Sequence, residues 1–250
     1  MSVLPSLQAE LAAATNRFLA TVASLTDVSQ PSLLPGWSRG HVLAHVARNA
    51  DAHLNLLTWA RTGVETPQYA SLAARADEIE ALAPRPVAEH LADLRDGAAR
   101  LAGAVRDLPE SAWSATVSGL RPPPHPAWYI LVRRLREVEI HHVDLGAGYG
   151  PADWPPVFVR RELHDCRASW DRASSTVSEI RFPSETWTGL GEGPAVAGSP
   201  SAVLAWLTGR SSGEGIRVGS EGRMSVPAAP AWLTLPAPAD LPATPPEDYP

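Results

Sequence analysis

The sequence predicts an α-class fold with a smaller α+β module: a four-helix bundle over residues 1–150, an α+β module over 151–226 and a Pro/Ala-rich tail over 227–250. Three observations predict it. Four long stretches before residue 150 place apolar residues at the helical period, and facing helices of such a length pack as a bundle. After GAGYGPADWPP (146–156) the pattern changes to short apolar segments punctuated by glycine, the signature of small strands and turns. Beyond Pro227 proline and alanine dominate, which predicts extended, partly disordered chain.

The first helix is expected over 6–26, where Leu7, Leu11, Ala14, Phe18 and Val22 recur near the helical period. Ser32 to Trp37 is a connector, and Ser38 is the N-cap of a second helix running to about Arg61. Gly63 and Pro67 mark a turn. A short helical piece, Leu72 to Leu82, precedes a third long helix from Val87 to Leu108. The loop SGLRPPPHP (118–126) cannot be helical, because proline lacks the N–H and clashes with the preceding turn. A fourth long helix follows from Ala127 to Leu145. In the second module, 157–173 and 200–209 read as helices, and 177–182, 186–190 and 215–219 as strands. No internal repeat is present.

Composition excludes several functions. The net charge of -6 argues against general nucleic-acid or anionic-membrane binding. No apolar run approaches the roughly 20 residues needed to span a bilayer, and the N-terminus lacks the pattern of a signal peptide, so a cytoplasmic location is expected. The one cysteine, Cys166, excludes an internal disulfide and reads as a buried small residue. All 21 basic residues are arginine, which rules out lysine Schiff bases, lysine general bases and a P-loop lysine.

The residues that carry chemistry are Glu137 and His141. Four residues apart on a helix, they project side by side. A third ligand from a facing helix would complete a two-histidine, one-carboxylate set with an open position, as in a catalytic metal site. Spacing leaves that ligand open among His41, His45 and His53. His41 reads as a solvent-facing or helix-capping residue, and Asp144 as a carboxylate that orients a ligand. His53, Glu139 and His142 are expected on solvated faces, with a role in shaping the substrate end of the pocket as the other reading. Arg133, Arg134 and Arg136 are expected on an exposed face, with attraction of an anionic substrate as the alternative.

The flanking sequence carries a resemblance. Leu34 to Ala50 (LPGWSRGHVLAHVARNA), Trp59 to Tyr69 (WARTGVETPQY), Arg136 to Gly146 (REVEIHHVDLG) and the helix ending Thr208-Gly209-Arg210 resemble mycothiol-dependent maleylpyruvate isomerases. These belong to the DinB-like metal-dependent bundle superfamily. The resemblance covers about 220 residues and implies a DinB-like four-helix bundle followed by a small sterol-carrier-like α/β domain. It implies that His45, Glu137 and His141 bind a divalent metal, usually Zn²⁺, and that Arg210 and Arg75 act in catalysis. It further implies a low-molecular-weight thiol, mycothiol, and a small-molecule substrate; from charge and hydropathy no nucleic-acid or membrane partner is expected, and the chain is expected to be a monomer or small homo-oligomer.

The implied chemistry is consistent physically. A thiol near pKa 8.5 is mostly protonated at neutral pH, and a coordinating metal removes that proton. A thiolate can add to the electron-poor double bond of maleylpyruvate or a related alkene, allow rotation about the resulting single bond, and leave again. Arginine suits the carboxylates and the developing enolate because its planar fork holds anions bidentately. Two other functions stay open: a mycothiol S-transferase, which would consume the thiol, and a non-catalytic metal-stabilised binding protein. A non-haem iron oxygenase also uses two histidines and a carboxylate, but the helical scaffold disfavours it.

Overall fold

The structure, a computed structural model, describes residues 2–120, 123–219, 225–230 and 237–250. Parts of the expected 118–126 loop (121–122) and of the tail (231–236) lie outside the described residues. The chain divides into two compact units, the first running through Tyr149 and including Asp240–Tyr249, the second spanning Gly150–Ala239 with Pro250.

In the first unit four long helices form the bundle: α1 (Leu4–Ser24), α2 (Arg39–Thr62), α4 (Val87–Arg106) and α5 (Tyr129–Asp144). Helix α1 packs on α4 and α5, and α2 packs on the same two, which closes the four into a ring. The short α3 (Leu72–Leu82) lies against α2. Of the apolar stripe of α1 anticipated from sequence, Leu7, Ala14, Phe18 and Val22 are buried, while Leu11 is only half-buried. Ser38 does begin α2, and the Nδ1 of His41 accepts the Ser38 backbone N–H at 3.1 Å, so one of the otherwise orphaned donors at the helix start is satisfied. Gly63 ends α2 in the left-handed region, φ 70°, which costs glycine nothing. Gly40 is required for a different reason. A Cβ there would sit 2.0 Å from the carbonyl oxygen of Ala83, where the end of α3 meets the first turn of α2.

Two polar ties set the alignment of α2 against α5. At one end Arg39 donates from Nε to the carbonyl of Leu145 at 2.9 Å and from Nη2 to that of Gly146 at 2.8 Å, filling acceptors left at the helix C-terminus. At the other, the buried Arg134 donates to the carbonyl of Val46 at 2.9 Å and to Asn49 Oδ1 at 2.7 Å. Rising residue numbers on α2 therefore meet falling numbers on α5, and the segment between the two ties holds His45, Glu137 and His141.

Helix α5 differs from expectation in one respect. Arg134, Glu139 and His142, expected on exposed or solvated faces, are buried. Arg17 of α1 donates to Glu139, the Tyr149 hydroxyl donates to the same carboxylate at 2.6 Å, and the His142 ring stacks on Tyr149 at 3.7 Å. His53 is also buried, with Nδ1 bonded to the Asn49 carbonyl at 2.7 Å. Each of these groups meets a partner supplied by another turn or another helix, which lets it leave water.

Between α4 and α5 a 3₁₀ turn (Glu110–Ser114) leads into a two-residue antiparallel pair, β1 (Thr116–Val117) with β2 (His125–Pro126), a feature the sequence reading took as loop. Of the tail, the Asp240–Tyr249 segment belongs with the bundle. Trp128 Nε1 donates to the Pro242 carbonyl at 2.9 Å, and Tyr249 packs edge-on to Trp128 with centroids 5.0 Å apart. Prolines make the segment extended, and Trp128 and Tyr129, both buried in the bundle, give Tyr249 something to bury against.

The second unit is a small α+β body. A four-stranded sheet runs in the order β4 (Thr186–Thr188), β3 (Glu179–Arg181), β5 (Ala195–Ala197), β6 (Arg217–Val218). β3 and β5 are parallel and the outer pairs antiparallel. Helices α6 (Pro156–Ala168) and α7 (Pro200–Leu207) pack together. The sequence reading extends α6 to 173, but the helix stops at Ala168, before the Asp171–Ser174 turn in which Asp171 Oδ1 accepts the N–H of Ala173. It also omits β5, where a single valine between two alanines gives no β-branched or aromatic run to mark a strand. Cys166 is buried, as expected.

Candidate metal centre

His45, in the second turn of α2, meets Glu137 and His141 of α5 at one point. His45 Nε2 lies 3.0 Å from Glu137 Oε2 and 3.0 Å from His141 Nε2, and the His141–Glu137 distance is 3.3 Å. Among the described residues this is the one cluster of three such side chains able to hold a metal. A tetrahedral Zn²⁺ site with ligand bonds of roughly 2.0–2.2 Å places its donor atoms roughly 3.3–3.5 Å apart. The observed triangle is a few tenths of an ångström smaller, so the donors fit a divalent cation without rearrangement of either helix. Of the three histidines that spacing left open, His45 is the one brought to the pair. His41 is committed to the helix cap and reaches Glu80 at 3.2 Å, and His53 bonds the backbone of its own helix.

The surroundings prepare the donors. Asp144 Oδ2 lies 2.8 Å from His141 Nδ1 and holds the proton there, turning the Nε2 lone pair toward the triad, as a carboxylate behind a metal-binding histidine does. Burial pushes His45 down to about 4, with the charge of His141 acting in the same sense, so this imidazole is neutral and ready to bind at physiological pH. Burial opposes the charged form of His141 too, but the hydrogen bonds to Asp144 and Glu137 outweigh it and raise its pKa. Burial would raise Glu137, yet the two imidazoles hold its carboxyl well below the usual range. Two imidazoles and a carboxylate facing inward at van der Waals separation form a concentration of lone pairs suited to a cation.

Arg75 joins the same site. Its Nη2 lies 3.0 Å from His45 Nδ1, and its guanidinium lies over the Tyr69 ring, 5.6 Å from the centroid. Nothing in the spacing of Arg75 marked it; the resemblance did. Trp37 closes another side, its ring edge-on to His45 at 5.7 Å. Arg210 belongs to the second unit, where it follows α7 and donates from Nη1 to the carbonyl of Thr208 at 2.6 Å. Sequence reasoning treated Trp37 and Tyr69 only as parts of matched segments, and neither carries a spacing signal that would mark it as a wall of the site.

A family model described as the mycothiol maleylpyruvate isomerase N-terminal domain matches residues 11–146. A solved structure titled as that of the mycothiol-dependent maleylpyruvate isomerase is 31% identical, with a TM-score of 0.82 over 91% of this chain and 96% of its own. A structure of a histidine-to-alanine mutant of the mycothiol-dependent maleylpyruvate isomerase is 30% identical, with a TM-score of 0.81 and the same coverage. No curated protein matches the chain.

Proposed function

Because the chain belongs to the mycothiol-dependent maleylpyruvate isomerase family, we propose that it is a mycothiol-dependent cis–trans isomerase acting on maleylpyruvate or a related electron-poor alkene, with a divalent metal, Zn²⁺, held by His45, Glu137 and His141. The observation that carries the reading is the triangle of donor atoms 3.0–3.3 Å on a side, backed by Asp144 and open to further ligands. A cation held by these three residues would keep a coordinated thiol as its thiolate at neutral pH, the form able to add to an activated double bond and leave once the single bond has turned.

The chain's own residues do the rest. Asp144 fixes the tautomer of His141, and burial keeps His45 neutral. A guanidinium only donates, so in the arrangement described His45 Nδ1 accepts from Arg75 and the ring proton sits on Nε2. Were Nε2 to serve as a ligand, the ring proton would sit on Nδ1 and Arg75 could not donate there; its fork, beside the site, would then be available to a substrate carboxylate or to the enolate charge that develops on addition. Arg210 is the second unit's contribution in this reading, a positive charge serving the same developing anion. Trp37 stands edge-on to His45, and Tyr69 supports the Arg75 guanidinium.

The test is to incubate purified, Zn²⁺-loaded protein with mycothiol and a panel of enedioates and epoxides, reading products and free thiol by mass. Conversion of a cis enedioate to its trans isomer with the thiol regenerated supports the isomerase. A thiol adduct that accumulates identifies an S-transferase instead. Absence of turnover with either class, together with ligand binding that survives metal removal, would leave a binding protein.

A further inference from the structure

Arg133 lies one turn before Glu137 on α5, and its position is unlike that of an ordinary surface arginine. Its side chain runs against the backbone of the loop between β1 and β2: a Cβ added to Gly119 would sit 3.4 Å from Arg133 Nη1 and 3.1 Å from Gln68 Oε1. Gln68 is itself buried and holds the loop by accepting the N–H of Leu120 at 2.8 Å. The next residue, Tyr69, carries Arg75 over its ring, and Arg75 touches His45. A continuous wall of contacts therefore runs from the metal-ligand triad through Arg75, Tyr69, Gln68 and Gly119 to Arg133, and α5 closes the circuit from Arg133 back to Glu137.

Within this wall Arg133 has no carboxylate partner among the described residues. Burial lowers its pKa, with the neighbouring Arg136 adding to the effect, and the attraction of Glu137 compensates only in part. Two further buried groups face the same charge. His53 and His125 each bond a carbonyl through Nδ1, leaving Nε2 without a partner, and both feel Arg133. Burial keeps both rings neutral, at about 3 and about 4, so neither offsets the guanidinium. A half-buried cation with no carboxylate bonded to it favours a negative group that arrives to meet it.

We infer that Arg133 is a specificity-determining residue, the anchor for the distal carboxylate of a short dicarboxylate substrate whose reacting carbons lie at the metal centre. The distance suits such a molecule: four residues along α5 separate Arg133 from Glu137 by about 6 Å of helix rise, a span comparable to a chain of four to six carbons. The ligand assigned is the electrophile rather than the thiol, because the feature to be matched is a localised negative charge held by a planar fork. A site built around such a charge rejects an analogue that lacks it far more strongly than an apolar pocket rejects a change of size. The assignment rests on the isomerase reading for the identity of the reaction but not for the recognition of two carboxylates.

The test uses succinate, a saturated dicarboxylate that cannot be isomerised, and its monomethyl ester. Both are titrated calorimetrically into the full-length, Zn²⁺-loaded protein, as wild type, Arg133→Met and Arg133→Lys. Wild type should bind succinate at least about 10-fold more tightly than the ester, as expected for a desolvated charge-assisted pair. Arg133→Met should erase that preference while retaining metal content and melting temperature, and Arg133→Lys should retain part of it. If wild type shows no preference, or Arg133→Met keeps it, the inference is overturned. In parallel, mycothiol-dependent turnover of a cis enedioate by Arg133→Met should show a KM raised about 10-fold or more with kcat nearly unchanged. Failure of wild type to turn over any enedioate would sink the isomerase reading and leave the calorimetric result to stand or fall alone.

Discussion

Asp144 makes the sharpest demand on the metal centre. Its Oδ2 lies 2.8 Å from His141 Nδ1, and the carboxylate is buried, 1% exposed, so the bond is neither screened nor readily replaced by water. Removing the carboxylate has two consequences with the same sign. The Nδ1–H loses its acceptor, so the tautomer that points the Nε2 lone pair at Glu137 and His45 is no longer enforced. The imidazole also loses the anion that raises its basicity, and becomes a weaker donor. Partners of this kind are worth about 10–100-fold in metal affinity, or about 1.4–2.7 kcal/mol. Asp144→Ala should fall at the upper end, since a cavity replaces the acceptor. Asp144→Asn should fall at the lower end, because its amide oxygen can still accept from Nδ1–H while the negative charge is gone. Competition of the protein with a chromophoric zinc chelator at neutral pH measures the affinity directly, and a thermal melt of the metal-free form separates loss of the fold from loss of the site. An Asp144→Ala variant that folds normally and binds zinc as tightly as wild type would refute the reasoning.

Other positions give independent checks. Gly40→Ala forces a methyl group to within 2.0 Å of the Ala83 carbonyl; it should cost about 1–3 kcal/mol, read as a melting temperature lower by about 2–4 °C for each kcal/mol. His53 and His125 are held at about 3 and about 4, below the ordinary value of 6.5, so the unfolded chain binds more protons than the folded one between these limits. Their contribution to stability is therefore full above pH 6.5 and falls as pH drops toward 4, by up to roughly 1.4 kcal/mol per pH unit for each; urea titrations of metal-free protein at several pH values should show this, and His53→Met should lower the slope by about that amount. Arg210→Ala should depress kcat by about 10²-fold with zinc content unchanged, and Arg210→Lys should recover only part of it; undiminished turnover in Arg210→Ala would confine the second unit to support.

The sequence reveals what depends on local pattern and hides what depends on distant partners. The α1 stripe, the Ser38 cap and the Glu137/His141 pair are set by spacing along one helix, and they stand in the structure where spacing puts them. The choice of His45 depends on how α2 aligns with α5, which is fixed by Arg39 on Leu145 and Arg134 on Val46. No periodicity encodes those ties; only the match to a known family brought His45 and Arg75 forward. Glu139 and His142 were read as solvated for the same reason. A charged residue is assigned to water unless its partner is visible, and Arg17 is 122 positions away from Glu139. The β5 segment, a lone valine between alanines, carries no strand signal of its own, and the Asp240–Tyr249 segment has no pattern that announces Trp128 as its partner.

The most direct measurement of the central claim is a zinc titration of metal-stripped protein, following mycothiol-dependent conversion of a cis enedioate to its trans isomer. Activity should rise in proportion to zinc and stop at one equivalent per chain, and His45→Ala should show neither stoichiometric zinc nor turnover under the same conditions, because the helix α5 pair alone supplies two of the three donors. Turnover that persists without metal or without thiol, or a His45→Ala protein with full zinc occupancy, would contradict the account.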